Sequence, residues 1–376
     1  MTTGTHIGDL IPIIEDTVAP NAADVDATGA FPRAAVKALG EAGLLGLTSA
    51  TEVGGRGQGL RASAEVVEHI ARACGSTAMV VCMHYAGTAV IEAFGPRDTR
   101  EAIARGQHLT TLAFSEAGSR SHFWAPMSTA TAASDGRVLL DARKSWVTSA
   151  GEADSYVWSS KPVAAEGPST LWLVPAAAGG LDASGRFDGF GLRGNASRPV
   201  SATDVLVDRT ALLGVDGKGD EIMLSIVLAH FQVMSAAVSL GLAESAIAKA
   251  VEHVTTARFE HLDRRLADLP VNRANIAKMR LLADQAHALL GDTVQAIETG
   301  RPDATLRVLE VKAAASEAAI AVTDIAMRVC GGAAFRKEGG LERYFRDARA
   351  ATVMAPTTDA IHDFIGRAVC GMPLFD

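Results

Sequence analysis

The stretch RVCGGAAFRKEGGLERYFRDARAATVMAPT, from Arg328 to Thr357, begins where a long helix should end. Upstream of it, apolar or small residues recur at Val308, Val311, Ala315, Ala318, Val322, Ile325 and Val329. That three-four spacing predicts one buried face of a long helix. The pair Gly331-Gly332 follows directly. Glycines at such a point let another group approach the backbone closely. A helix C-cap accounts for one glycine, and less well for two. Further on, Arg346 and Asp347 set opposite charges beside the end of a helical bundle, which suits a structural ion pair.

Moving outward, the segment Ile222–Thr256 reads as a second long helix, and long antiparallel helices predict a C-terminal four-helix bundle over residues 220–376. The longest apolar run, Ile222–Ala243, carries His230 and Gln232 and reaches Glu244. A buried helix of a soluble bundle suits it better than a membrane span. Residues 109–219 have another character. LTTLAFSE (109–116), SYVWSS (155–160) and STLWLVP (169–175) are short β-type runs. Asp135-Gly136 between TATAA and RVLLDARKSWVTS is a hairpin signal. All four tryptophans, Trp124, Trp146, Trp158 and Trp172, fall here, which supports a separate β domain. Residues 1–108 read as helices. FPRAAVKALGEAGLLGL (31–47) has helical spacing with Pro32 near its start, and it breaks at the glycine-rich EVGGRGQG (52–59).

At 376 residues the chain can bury a large core in two or three domains. Its net charge of −8, with no dense basic cluster, argues against nucleic acid as a partner. MTTGTHIGDLIPIIEDTVAP lacks a basic segment followed by an apolar one, so no secretory signal is expected. Cys74, Cys82, Cys330 and Cys370 match no metal-site spacing, and reduced core thiols of a cytoplasmic protein are expected.

Five separated segments together resemble the acyl-CoA dehydrogenase superfamily of flavoproteins. They are GAFPRAAVKALGEAGLLGLTSATEVGGRGQG, AFSEAGSRSHF (113–123), ARKSWVTSAGEADSYV (142–157), GLRGNASRPVSATDVLVD (191–208) and the stretch quoted first. The resemblance implies an α+β, mostly α fold: an N-terminal helical domain, a middle β-barrel or sandwich domain and a C-terminal four-helix bundle. It also implies FAD and a homo-oligomer, tetramer or dimer, in which the Gly331-Gly332 segment meets a neighbouring subunit's cofactor. An isoalloxazine ring needs a flat apolar face and donors along its polar edge. Trp146 with Thr148 can supply both if they lie on a strand, although a β-domain core residue is the plain reading of Trp146. By resemblance, Trp146 packs near the ring and Thr148 and Ser149 bond its polar edge. Ser115 and Ser121 occupy loop positions that contact flavin or substrate, Arg258, in the helix before ADLPVNRANIAKM, faces the pyrophosphate, and Thr357 touches the flavin.

The family's catalytic glutamate is missing. Counted from Asp347 without a gap, its position is Ala355. α,β-Dehydrogenation of an acyl thioester needs a base for the α-proton. Some family members carry it on the helix that here runs Ile222–Ala243, near Phe231. His230 is therefore the candidate base, since imidazole titrates near neutrality; a core histidine bonded to a carbonyl is the competing reading. Asp359 and His362 are weaker candidates. Two reactions stay open. One is FAD-dependent oxidation of an acyl thioester, linked to CoA or acyl carrier protein, with electron-transfer flavoprotein as partner. The other is a monooxygenase or N-hydroxylase on the same fold, which takes reduced FAD or FMN from a flavin reductase and uses O2. A non-catalytic scaffold is disfavoured by the retained flavin motifs. Arg120 and His122 replace the usual residues of a loop that borders the substrate, which implies an atypical substrate.

Overall fold

The computed structural model describes residues 5–119 and 122–374. Six helices come first: α1 (Thr5–Ile13) and α2 (Ala19–Thr28), joined by the π-helical turn Ile14–Val18, then α3 (Arg33–Glu41), α4 (Leu60–Ala73), α5 (Gly75–Phe94) and α6 (Arg97–Ala104). Helix α3 is shorter than the expected Phe31–Leu47. Gly43 turns left-handed at φ +67°, and a Cβ on Gly46 would lie 2.3 Å from the Ala104 carbonyl oxygen. The chain therefore leaves the helical path to let two backbones touch.

The strands follow: β1 (Thr110–Ala113), β2 (Thr129–Ala132), β3 (Val138–Val147), β4 (Ser155–Ser160), β5 (Thr170–Pro175), β6 (Leu181–Asp182), β7 (Arg198–Val207) and β8 (Leu212–Leu213). They form two four-stranded sheets, ordered β1-β4-β5-β8 and β2-β3-β7-β6. All neighbours are antiparallel except β1 and β4. Asp135-Gly136 lies in the β2–β3 turn, with Gly136 at φ +86°. Inward residues of both sheets share one core. Tyr156, Trp158, Trp172 and Val174 come from one sheet, and Leu140, Val200, Val205 and Val207 from the other. This is sheet-on-sheet packing, with alternate side chains interdigitating.

The helices resume with α7 (Gly219–Ile222), the π-helical turn Met223–Val227 and α8 (Leu228–Thr256). A two-stranded ribbon follows, β9 (Arg258–Phe259) against β10 (Arg264–Arg265). Then come α9 (Pro270–Glu298), α10 (Ala304–Cys330), α11 (Leu341–Asp347), α12 (Ala350–Val353) and α13 (Thr358–Val369). All seven residues of the predicted 308–329 stripe are buried on α10. Three helical segments, Gly75–Phe94, Gly219–Thr256 and Ala304–Phe335, are long and apolar enough to cross a membrane by length and composition.

The fold therefore has the expected helical N-terminal, middle β and helical C-terminal parts. By packing, the chain forms two compact units: residues 5–66, 79–189 and 193–231, and residues 67–78, 190–192 and 232–374. One expectation is corrected. Cys74, Cys82 and Cys330 are buried free thiols, but Cys370 is exposed, because it lies just past the last turn of α13.

Candidate active site

In the first unit the site grows from the end of β3. Its register against β7 slips between Lys144 and Val147, and at that slip Trp146 takes φ +55°. A bulky residue there is a conformational outlier of the kind that clusters at functional sites. The indole is 69% exposed and stands nearly perpendicular to the Phe187 ring, the two centroids 6.3 Å apart. The core reading of Trp146 is thus overturned: the β-bulge turns its side chain away from the sandwich interior. Gly189 makes room for that partner, since a Cβ there would lie 2.2 Å from the Phe187 ring.

Ser149 repeats the left-handed geometry at φ +58° and donates its N–H to the Asn195 carbonyl at 2.9 Å. Opposite it, Ala196 sits at φ +51° and accepts from Ala150 N–H at 3.2 Å. The buried Thr148 hydroxyl meets Ser197 Oγ at 3.2 Å. Ser149 Oγ is buried and has no hydrogen-bond partner among the described residues. Orphaned hydroxyls of this kind call for a ligand or water. Ser115 follows β1 on a loop that runs along β3, its carbonyl accepting from Ser145 N–H at 2.9 Å. Ser121, and Arg120 beside it, lie outside the described residues; His122 is exposed and edge-on to Trp124.

His230 lies two residues into α8, just past the π-helical turn. Its Nδ1 stands 2.8 Å from the Ile226 carbonyl, so the proton resides on Nδ1 and donates there. Nε2 is left as the basic lone pair. Burial pushes its pKa down, so the ring is neutral at physiological pH. Asp359 and His362 continue α13. Asp359 is exposed, and His362 pairs with Glu317 at 3.2 Å.

The second unit holds the remaining residues. Arg258 is not helical: α8 ends at Thr256, and Arg258 enters the β9–β10 ribbon, ion-paired to Asp263 at 2.7 Å. Gly331 ends α10 at φ +55° and ψ −134°, a conformation open to glycine alone. A Cβ on Gly331 or Gly332 would meet nothing within 4 Å, so both backbones face open space. Thr357 caps α13, accepting from Ala360 N–H at 3.4 Å. Ala355 lies between two carbonyls held by one buried ammonium: Lys312 Nζ donates to Met354 O at 2.8 Å and to Pro356 O at 2.6 Å. Burial pushes Lys312 down to about 7.

The two members of the expected Arg346–Asp347 pair each have a partner elsewhere. Arg346 pairs with Glu342 at 2.6 Å, one helical turn back. Asp347 is buried and accepts the Leu192 N–H at 2.7 Å. Adjacent helical residues point apart, which is why the i,i+4 partner wins.

These residues fit a flavin. In the first unit, a solvent-facing indole at a strained bulge, with an unpartnered buried hydroxyl three residues on, suits a flavin ring and its polar edge; in the second, considered by itself, an open glycine backbone at a helix end suits a phosphate. Sequence reasoning missed Phe187, Asn195, Ser197 and Lys312. The GNAS and VKAAAS strings were in view, but nothing local marks which of their side chains face a site.

Comparison with known proteins gives a consistent pattern. The family signature "Acyl-CoA dehydrogenase, N-terminal domain" matches residues 12–106, the middle domain 111–205 and the C-terminal domain 217–370. The human mitochondrial short-chain specific acyl-CoA dehydrogenase is 30% identical over 354 residues, covering 92% of this chain and 84% of that protein. The structure of butyryl-CoA dehydrogenase from Megasphaera elsdenii superposes with TM-score 0.91 at 22% identity, covering 98% of this chain and 99% of the other. TdsC from Paenibacillus sp. A11-2, with FMN and indole, superposes with TM-score 0.88 at 19% identity, covering 100% and 99%. The two superpositions establish a shared fold.

Proposed function

The chain belongs to the acyl-CoA dehydrogenase family of flavin-dependent oxidoreductases, and on that premise we propose that it binds FAD and oxidises an acyl thioester with His230 as its base. The observation that carries this reading is the tautomer of His230. Its Nδ1 donates to Ile226 O, the carbonyl bond that the core-histidine reading also expects, and burial keeps the ring neutral, so a proton would go to Nε2, for which no partner is found among the described residues. Ala355, at the usual glutamate position, offers only a methyl group.

Bound FAD would supply the acceptor for the hydride that leaves the substrate's β-carbon. The protein's part is positioning and proton transfer. Trp146 offers the apolar face, and the Thr148 and Ser149 hydroxyls and backbone the polar edge. Ser115 lines the adjoining loop. The N–H groups at Gly331 and Gly332 and the Arg258 guanidinium suit a pyrophosphate, and the Thr357 hydroxyl lies next to the segment that holds Ala355. His230 Nε2 takes the α-proton. The substrate is an acyl-CoA or an acyl group on a carrier protein, the assembly is a homo-oligomer, and electron-transfer flavoprotein reoxidises the enzyme. Free cysteines suit a reducing compartment, the cytoplasm.

A second reading rests on Ala355 alone. A monooxygenase on this fold needs no α-proton acceptor, and would take reduced FAD or FMN from a reductase and use O2. Anaerobic mixing with an acyl-thioester panel decides between them. Bleaching of the flavin by substrate alone is the outcome expected here. A flavin that stays oxidised across the panel, with product formed only when reduced flavin and O2 are both supplied, would replace this reading with the second.

A further inference from the structure

The middle β domain contains a buried ion pair that the proposed chemistry does not use. Lys144 is fully buried, and its Nζ lies 2.6 Å from Glu116 Oε1. The same ammonium donates to the Ser159 carbonyl at 2.6 Å and to Ser159 Oγ at 2.9 Å. Glu116 is satisfied as fully. Its Oε2 accepts from Met127 N–H at 2.6 Å and from Ser128 N–H at 3.0 Å, and its Oε1 accepts from Ser128 Oγ–H. Stability alone does not explain such a pair. Removing two charges from water costs what their attraction returns, and an apolar pair of similar volume generally does as well.

Location supplies the reason. Glu116 follows Ser115 and bridges to Lys144, so the pair joins the Ser115 loop to β3. Its carboxylate also accepts from the Met127 and Ser128 N–H groups just before β2. Through Ser159 the ammonium fastens the Ser115 loop and β3 to β4. Two residues beyond Lys144 the register slips and Trp146 takes its left-handed conformation. A strained residue persists only where its surroundings over-determine it. Lys144 is the last residue in register before the slip, and it is held by three hydrogen bonds.

We propose that the Lys144–Glu116 pair is a positioning device, which holds the Trp146 bulge and the Ser115 loop in the geometry that receives the flavin. The proposal rests on the flavin reading above. It assigns the pair no contact with cofactor or substrate.

The test is FAD affinity of the apoprotein, followed by flavin absorbance, with the midpoint potential of the bound flavin as a second readout. In the Lys144→Met/Glu116→Gln variant the charges leave together and the shape is kept. Circular dichroism should stay close to wild type while the thermal midpoint falls with the donors lost at Ser159, FAD binding measured well below that midpoint should weaken tenfold or more, and the potential of the flavin still bound should shift. A folded double variant that binds FAD within twofold of wild type, at the same potential, overturns the proposal. If that variant fails to fold, Ser128→Ala removes one link to the same carboxylate, and there a threefold or greater loss of affinity supports the proposal while unchanged affinity overturns it. Wild-type protein that takes up neither FAD nor FMN overturns the flavin reading itself, and this inference with it, an outcome distinct from a variant that binds normally.

Discussion

Lys312 holds the turn around Ala355: its buried Nζ donates to Pro356 O at 2.6 Å and to Met354 O at 2.8 Å, one carbonyl on each side of the alanine. The turn at Ala355 is therefore tied down from within α10. Replacing Lys312 by Met should leave two buried carbonyls short of a donor. The expected cost is about 2–4 kcal/mol, read from urea unfolding.

The same lysine sets a pH dependence. Its folded pKa is pushed down to about 7 by burial, while the unfolded value is near 10.4. Between those values the unfolded state binds the extra proton, so stability should rise with pH above 7, by at most about 1.4 kcal/mol per pH unit for one proton. Lys144, pushed to about 8 in the same direction, adds to this at higher pH. Lys312→Met should flatten the slope between pH 7 and 8. An unchanged slope would show that the ammonium keeps its ordinary affinity for protons.

His230→Ala should slow anaerobic flavin reduction by about 10²–10⁴-fold while leaving FAD binding intact, the usual effect of removing a general base. Because burial lowers its pKa, the base form is present at neutral pH and is lost as pH falls. The acid limb of single-turnover reduction should therefore lie below about 6.5, the ordinary histidine value. Stopped-flow traces across pH 5–8 check this.

Ala355→Glu restores a carboxylate at a half-buried position whose backbone is already held by Lys312. It should raise the rate of anaerobic reduction at least about tenfold in the His230→Ala background. If the double variant is no faster than His230→Ala alone, position 355 does not face the substrate.

Asp347→Ala should destabilise the second unit by about 2–3 kcal/mol. The Leu192 N–H would lose its buried acceptor at a residue held at φ +50°. Asn, which keeps one carbonyl oxygen, should recover about half. Thermal unfolding of the three proteins would measure the series.

Much of the architecture is legible along the chain because it rests on local periodicity. The stripe from Val308 to Val329 names its own buried face, and Asp135-Gly136 names its own turn. The candidate site is less legible. Trp146 reads as core from its type and its strand, and only the register slip against β7 exposes it. Arg346 and Asp347 read as a pair by adjacency, yet each finds its partner elsewhere, at Glu342 and at the Leu192 N–H.

The sequence by itself determined the order of helices and strands and the alanine at position 355, since these follow from residue type and spacing, and its motifs carried the resemblance to a flavoprotein family. Tertiary structure decided which proton His230 carries, which turn Lys312 holds and what the Lys144–Glu116 pair secures. Each depends on a partner's position in space rather than on neighbours in the chain. His230 Nδ1 is committed by a carbonyl a helical turn away, Lys312 by carbonyls more than forty positions on, and Lys144 by a carboxylate 28 residues earlier. In a low-dielectric interior those contacts set protonation and strain, and spacing along the chain does not reveal them.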